Sequence, residues 1–179
     1  MSADTYREST SKDRRYKLTW EFLNQTIGEN SSILDIGTPN PFSDYLQTKG
    51  FKVYNTNGED LDEFPESLAQ YNTDVTTAFE ILEHLLNPLG VLKNIKSERL
   101  FVSIPLRLWF AKAYRNKNDR WDQHYHEFED WQFDWLLEKA GWEIVRSEKW
   151  TSPIKINGIR PILRLFVKRY YIVEARRKK

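Results

Sequence analysis

The sequence predicts an α/β domain built on a mostly parallel sheet, and two observations carry that prediction. Residues 32–56 read as strand, helix, strand in close succession, the βαβ unit of a parallel sheet. Further apolar runs at 74–79 and 99–104, each followed by loop or breaker residues and separated by a helical segment, read as more buried strands of the same sheet. A length of 179 residues suits one such domain.

The elements follow in order. Met1 to Ser11 is small and polar and is expected to be a flexible N-terminus, leaving residues 12–179 as the single domain. From Lys12, the residues Tyr16, Trp20, Leu23 and Ile27 recur at helical spacing on one face, and Gly28 stops the helix. Ile33-Leu34-Asp35-Ile36-Gly37 is a short apolar run ending in glycine, and predicts a strand over 32–36. Asn40 is a good N-cap, Pro41 a good first helical residue, and Asp44 falls in the first turn, where a carboxylate favours the positive helix end. That helix ends at Gly50, and 51–56 is the second strand. Residues 58–66 carry five acids and no base, which reads as a solvated acidic segment.

Residues 74–79 form the third strand, and Glu80 to His84 continue into a loop. Asn87-Pro88 precede a helix over 89–95. The strand at 99–104 is stopped by Pro105. Residues 107–126 make a long connection rich in Trp, Tyr, Arg and Asn, a length typical of lids and binding loops. Phe128, Trp131, Trp135, Leu136 and Ala140 then mark an amphipathic helix closed by Gly141, with Trp131 and Trp135 assigned to the core. Strands at 142–150 and 169–175 end the chain, with a short helix expected near 162–167 in the link between them.

Composition excludes several functions. With 27 basic and 26 acidic residues the net charge is +1, so the chain is not a polycation for nucleic acid or a membrane surface. The absence of cysteine excludes disulfides, iron–sulfur clusters and a thiol nucleophile. No apolar run reaches membrane-span length, and the first twenty residues lack an apolar signal region, so a cytoplasmic setting is expected. No sequence feature fixes an oligomeric state.

The ordered set Ile33-Leu34-Asp35-Ile36-Gly37, a second strand, Phe79-Glu80-Ile81-Leu82-Glu83-His84, a further strand and Ala140-Gly141-Trp142 resembles the Rossmann-like (class I) S-adenosylmethionine-dependent methyltransferases, in particular small bacterial ones. The resemblance covers about residues 33–145. It implies a doubly wound, mostly parallel seven-stranded sheet with helices on both faces and an antiparallel last strand. It implies S-adenosylmethionine as cofactor; the substrate is unidentified and is read as a small molecule, with a macromolecule left open. Only about 17 residues separate Asn57 from Asp74, so the family strand that belongs there is expected to be short or absent. By resemblance, Asp35, Gly37 and Thr38 lie beside the methionine part of the cofactor, Asn57 and Gly58 face its ribose, and Phe79 and Glu80 stand near its amino end. The residues themselves leave a second reading open, with Asp35 a loop cap and Gly37 a turn residue.

The sequence departs from the family in two places. The second and third glycines of the usual D-x-G-x-G-x-G are Pro39 and Pro41, and proline has a fixed φ and no N–H. Asn57 stands where the family usually has a carboxylate to accept two ribose hydroxyls, and an amide offers one acceptor oxygen. Glu59 or Asp60 could take over part of that task. These departures make a non-catalytic binding module with weak or lost cofactor binding the alternative to an enzyme.

Methyl transfer asks mainly for alignment, with a base needed only for nucleophiles of high pKa. The base candidates are His84, His124 and His126. His124-x-His126-Glu127 has a superficial metal-ligand spacing, but two such histidines share a face only in extended chain and no third ligand is evident, so no metal is expected. Trp109 and Trp121 in the long connection, with Tyr16 and Trp20 on the first helix, are candidate substrate contacts.

Overall fold

Ile33 and Leu34 lie on opposite faces of one strand, and that alternation makes the sheet two-sided. The computed structural model describes residues 3–119, 122–151 and 166–179. Its strands are β1 (Ser32–Asp35), β2 (Lys52–Asn55), β3 (Val75–Phe79), β4 (Arg99–Pro105), β5 (Trp142–Trp150) and β6 (Tyr170–Arg177). They form one sheet in the order β2-β1-β3-β4-β6-β5. The first four are mutually parallel, and β6 runs antiparallel between β4 and β5.

The helices are α1 (Ala3–Leu23), α2 (Pro41–Thr48), α3 (Pro88–Asn94) and α4 (Asp130–Lys139). On one face, Phe22 and Leu23 of α1 and Phe42 and Leu46 of α2 cover Ile33, Val75, Phe101 and Ile172. On the other, Val91 and Leu92 of α3 and Phe133 and Leu137 of α4 cover Leu34, Ala78, Val102 and Val173. This is the doubly wound, Rossmann-like arrangement.

The family's extra strand between β2 and β3 is replaced by a 3-10 turn, Pro65–Gln70, which buries Leu68 against the second of these faces. Six strands therefore stand among the described residues. Helix α1 begins at Ala3 rather than near Lys12, since the polar stretch before Lys12 contains neither glycine nor proline to oppose helix. It ends at Leu23, one turn before Ile27. There Thr26 is drawn out of the helix, its hydroxyl donating to Glu174 and its carbonyl accepting from Arg99.

Two tryptophans are placed differently from the sequence expectation. Trp131 and Trp135 are 45% and 65% exposed, stacked edge to face on each other, while Phe133, Leu137 and Ala140 take the buried face of α4. Of the residues expected to mark that face, Phe128 is buried just before the helix, and Leu136 packs partly buried beside it. The helix expected near 162–167 lies largely outside the described residues. No helix among the described residues is long and apolar enough to cross a membrane.

Candidate active site

Strand order reverses at β1, whose neighbours β2 and β3 are reached in opposite directions along the sheet. The crevice beyond the carboxyl ends of such strands is where open α/β sheets bind ligands. A cavity of about 290 Å³ opens there, lined by Arg15, Tyr16 and Thr19 of α1, the turn after β1, Phe79 at the end of β3 with Glu80 and Ile81 after it, and Ser103 of β4. An open trough of about 640 Å³ lies alongside β2, lined by Asn57, Gly58, Glu59 and the 3-10 turn.

The turn after β1 follows its own path around Pro39. Asn40 caps α2, its side-chain oxygen accepting from the N–H groups of Phe42 and Ser43 at 2.9 and 3.1 Å. Pro41 occupies the first helical position, as its missing N–H allows. The amide of Asn40 donates to the carboxylate of Asp35 at 2.9 Å, Thr77 donates to it at 2.6 Å, and Asn55 at 3.4 Å. Burial raises the Asp35 pKa, and these three donors oppose the rise. The carboxylate thus ties β1 to its neighbours and to the start of α2, and Asp35 also lines the cavity.

Gly37 has φ +119°, a region that side-chain-bearing residues rarely adopt, and its N–H donates to Thr56 at 3.0 Å. Gly58 approaches Thr38 closely, so that a Cβ at Gly58 would stand 3.3 Å from the Thr38 methyl. Asn57 is exposed, and its N–H donates to the Glu59 carboxylate at 2.7 Å. The other Glu59 oxygen is buried with no hydrogen-bond partner.

Glu80 is the chemically loaded member of the cavity. It holds φ +55°, with its N–H donating to the Ser103 carbonyl at 2.9 Å. Ser103 donates to one carboxylate oxygen at 3.0 Å, and Arg15 stands 3.5 Å from the other. Burial raises the Glu80 pKa, and the guanidinium of Arg15 and the Ser103 hydroxyl pull it back. A carboxylate largely shielded from solvent and held at an unfavourable φ is the kind of constraint found at ligand sites.

The remaining candidates are scattered. Tyr16 lines the cavity and packs on Phe42 at a centroid distance of 5.2 Å. Trp20, partly buried, packs edge to face on Tyr45 and Phe51 and is not among the residues lining the cavity. Trp109 is 73% exposed and meets Phe110 edge to face. Trp121 lies outside the described residues. None of the histidines lines the cavity. His126 stacks on Phe128 with its Nε2 3.3 Å from the Leu86 carbonyl. His84 and His124 meet edge to face at 4.8 Å, beside the buried Glu83. Burial lowers the His124 pKa, and the neighbouring His84 lowers it further. Sequence reasoning missed Arg15 and Ser103, because each acts on Glu80 from far along the chain, and gave Asn40 and Glu83 no site role: Asn40 was read only as a helix cap and Glu83 only as part of a family segment.

A mostly parallel sheet with this order and a glycine turn at its switch point is the Rossmann-like fold. The chain belongs to the methyltransferase-domain family, whose model matches residues 6–147, and so to the class I S-adenosylmethionine-dependent methyltransferases, with S-adenosylmethionine as cofactor. It is similar to the Burkholderia thailandensis 1,6-didemethyltoxoflavin-N1-methyltransferase, solved with 1,6-didemethyltoxoflavin and S-adenosylhomocysteine. That likeness has 16% identity and a TM-score of 0.64 over 96% of this chain and 85% of that one. A SAM-dependent methyltransferase from Archaeoglobus fulgidus matches at 15% identity and a TM-score of 0.64 over 98% and 100% of the two chains. The [4+2]-cyclase SpnF matches at 14% identity and a TM-score of 0.55 over 91% and 81%. At such identities the likeness is one of fold. No curated protein matches the sequence.

Proposed function

We propose that the protein transfers the methyl group of S-adenosylmethionine to a small molecule held at the mouth of the crevice. The observation that carries this reading is the pairing of Arg15 with Glu80 inside a cavity bounded by Gly37. An amino-acid end bearing both an ammonium and a carboxylate needs one acceptor and one cationic donor, and the cavity supplies both. Gly37 and Thr38 offer backbone beside that end. Gly58, Asn57 and Glu59 border the ribose position, where the unpartnered Glu59 oxygen supplies the acceptor that Asn57 lacks. Tyr16 and Phe79 present aromatic faces suited to a cation.

The cofactor, when bound, supplies a methyl group already activated on a sulfonium. This chain's part is to hold it, exclude water and align the acceptor. No histidine lines the cavity, so the base role considered for His84, His124 and His126 is not assigned. The segment 107–126, with Trp109 and Trp121, is the proposed cover on the substrate side.

Calorimetry of the full chain with S-adenosylmethionine and S-adenosylhomocysteine tests the reading. Micromolar binding that Gly37→Val abolishes supports it, whereas a folded protein that binds neither up to millimolar concentration sinks it. The second reading is a binding module on the same fold, favoured by the Asp35 carboxylate being taken up by Thr77, Asn40 and Asn55. It predicts no cofactor heat. The SpnF likeness adds that this fold is not confined to methyl transfer.

A further inference from the structure

The turn after β3 and the loop before α4 are tied together at one place. The N–H groups of Tyr125 and His126 both donate to the Glu83 carbonyl, at 2.8 and 3.3 Å. The Nδ1 of His84 meets the Gln123 carbonyl at 3.1 Å. A carbonyl only accepts, so Nδ1 carries the hydrogen, and the Nε2 of a neutral His84 is left as a lone pair. That Nε2 faces the Glu83 carboxylate at 3.8 Å, so two acceptors confront each other in a buried place. Glu83 is 1% exposed and its second oxygen has no hydrogen-bond partner. His124 closes the group, with a ligand atom from each of the three residues within 4.8 Å of the others. A proton would satisfy only one of these contacts, whereas a metal ion would engage the Glu83 carboxylate and both rings at once.

We propose that Glu83, His84 and His124 form a binding site for a divalent transition-metal ion. Two imidazoles and one carboxylate are a known ligand set for zinc and for iron(II), with positions left open for exogenous ligands. The hydrogen bond from His84 Nδ1 to a carbonyl is the outer support that metal-bound histidines usually have. His124 has an analogous neighbour in Glu127, 4.0 Å from its Nδ1, while Glu127 itself is held by the Tyr114 N–H at 2.7 Å. The surrounding charge fits as well. Burial and then the neighbouring Glu80 raise the Glu83 pKa well above the ordinary carboxylate value, Asp122 and Glu127 lie beside His124, and Arg15 and Arg169 act with the opposite sign, so a cation bound by Glu83 would relieve its burial. Ligand atoms about 2 Å from one ion lie roughly 3–3.5 Å apart, so side chains whose ligand atoms now lie within 4.8 Å of one another would draw closer on binding. The ion would sit three residues along the chain from Glu80, outside the lining of the cavity.

The test is calorimetry of the chelator-treated full chain with zinc, cobalt(II) and magnesium chlorides, with circular dichroism on every sample. The expected result is one zinc per chain at micromolar affinity or tighter, with magnesium at least about a hundredfold weaker, as imidazole ligands dictate. Glu83→Gln and His124→Ala should each weaken zinc at least tenfold, while His126→Ala should leave it within about twofold. Cobalt(II) bound to the wild-type chain should give the visible absorption of a low-coordinate site, a readout independent of how the variants fold. Zinc binding untouched in folded Glu83→Gln and His124→Ala, or no zinc binding to the wild type, overturns the proposal and leaves a shared proton as the occupant. S-adenosylhomocysteine titrated into the same samples keeps failure of the metal site distinct from failure of the methyltransferase reading.

Discussion

Arg15 on α1 stands 3.5 Å from the carboxylate of Glu80, which projects from the turn after β3. The pair joins the N-terminal helix to the switch point of the sheet, so α1 is part of the site and not merely a cover for one face. If the two groups hold the charged end of the cofactor, Glu80→Gln and Arg15→Ala should each weaken S-adenosylhomocysteine binding by about tenfold to hundredfold, the equivalent of a charged hydrogen bond. Binding of adenosine, which lacks that end, should be unchanged in both variants. Calorimetry with the two ligands checks it, and equal losses for both ligands would place the pair elsewhere.

On the ribose side the decisive residue is Glu59. Its carboxylate already accepts the Asn57 N–H through one oxygen and leaves the other buried and unpartnered beside the trough. Glu59→Gln should weaken S-adenosylhomocysteine by about tenfold or more, since an amide keeps one acceptor and adds unwanted donors. Asn57→Ala should cost less than threefold. Asn57→Asp should tighten binding only where its new charge outweighs repulsion from Glu59, so the double variant Asn57→Asp, Glu59→Gln is expected to bind better than Glu59→Gln alone.

The strands and the parallel run of the first four were legible in the sequence because they rest on short local patterns: ILDIG with its glycine, VTTAF, the cap Asn40-Pro41; the missing strand was legible only against the family resemblance. The site was legible only where resemblance marked it. Asp35 was read as a cofactor neighbour, and its hydrogen bonds to Thr77, Asn40 and Asn55 give it a structural task that spacing alone could not exhibit. The triad Glu83, His84 and His124 was invisible for the same reason. His84 and His124 are forty residues apart, and only the pairing of their two loops brings the rings to 4.8 Å.

Glu174 on β6 is fully buried, yet it is a strand residue with no part in the crevice. Burial alone would raise its pKa. The Thr26 hydroxyl at 2.6 Å, Arg146 at 2.9 Å and Arg99 at 2.7 Å reverse that and hold it below the ordinary carboxylate value. A carboxylate with a lowered folded pKa contributes stability that is complete above its unfolded value near 4.5 and is lost as pH falls through the folded value. Glu174→Gln leaves Arg99 and Arg146 without their counter-charge and should cost about 3–5 kcal/mol at pH 7, as breaking a buried pair does. The gap between wild type and variant should narrow below pH 4.5. Urea melts at pH 7 and pH 4 measure it, and a gap independent of pH would mean the carboxylate is not ionised in the folded chain.

The tryptophans of α4 and β5 separate packing from composition. Trp131, Trp135 and Trp142 lie within twelve residues, and the first two were expected in the core with Leu136 and Ala140. A helical face is fixed by which residues meet the sheet. Here Phe133 meets Tyr171 and Phe128, and with Leu137 it takes the buried positions, which turns Trp131 and Trp135 outward onto each other. Trp142 is buried on β5 with its indole N–H donating to the Leu92 carbonyl at 3.1 Å and the guanidinium of Arg177 over its ring at 4.1 Å. Trp142→Ala should therefore cost about 3–5 kcal/mol, the loss typical of a large buried ring, and strand the Leu92 carbonyl besides. Trp135→Ala, at an exposed helical position, should stay within about 0.5 kcal/mol of wild type. Thermal and urea unfolding of the two variants settle the placement: a Trp135→Ala loss comparable to that of Trp142→Ala would return the outer ring to a buried interface.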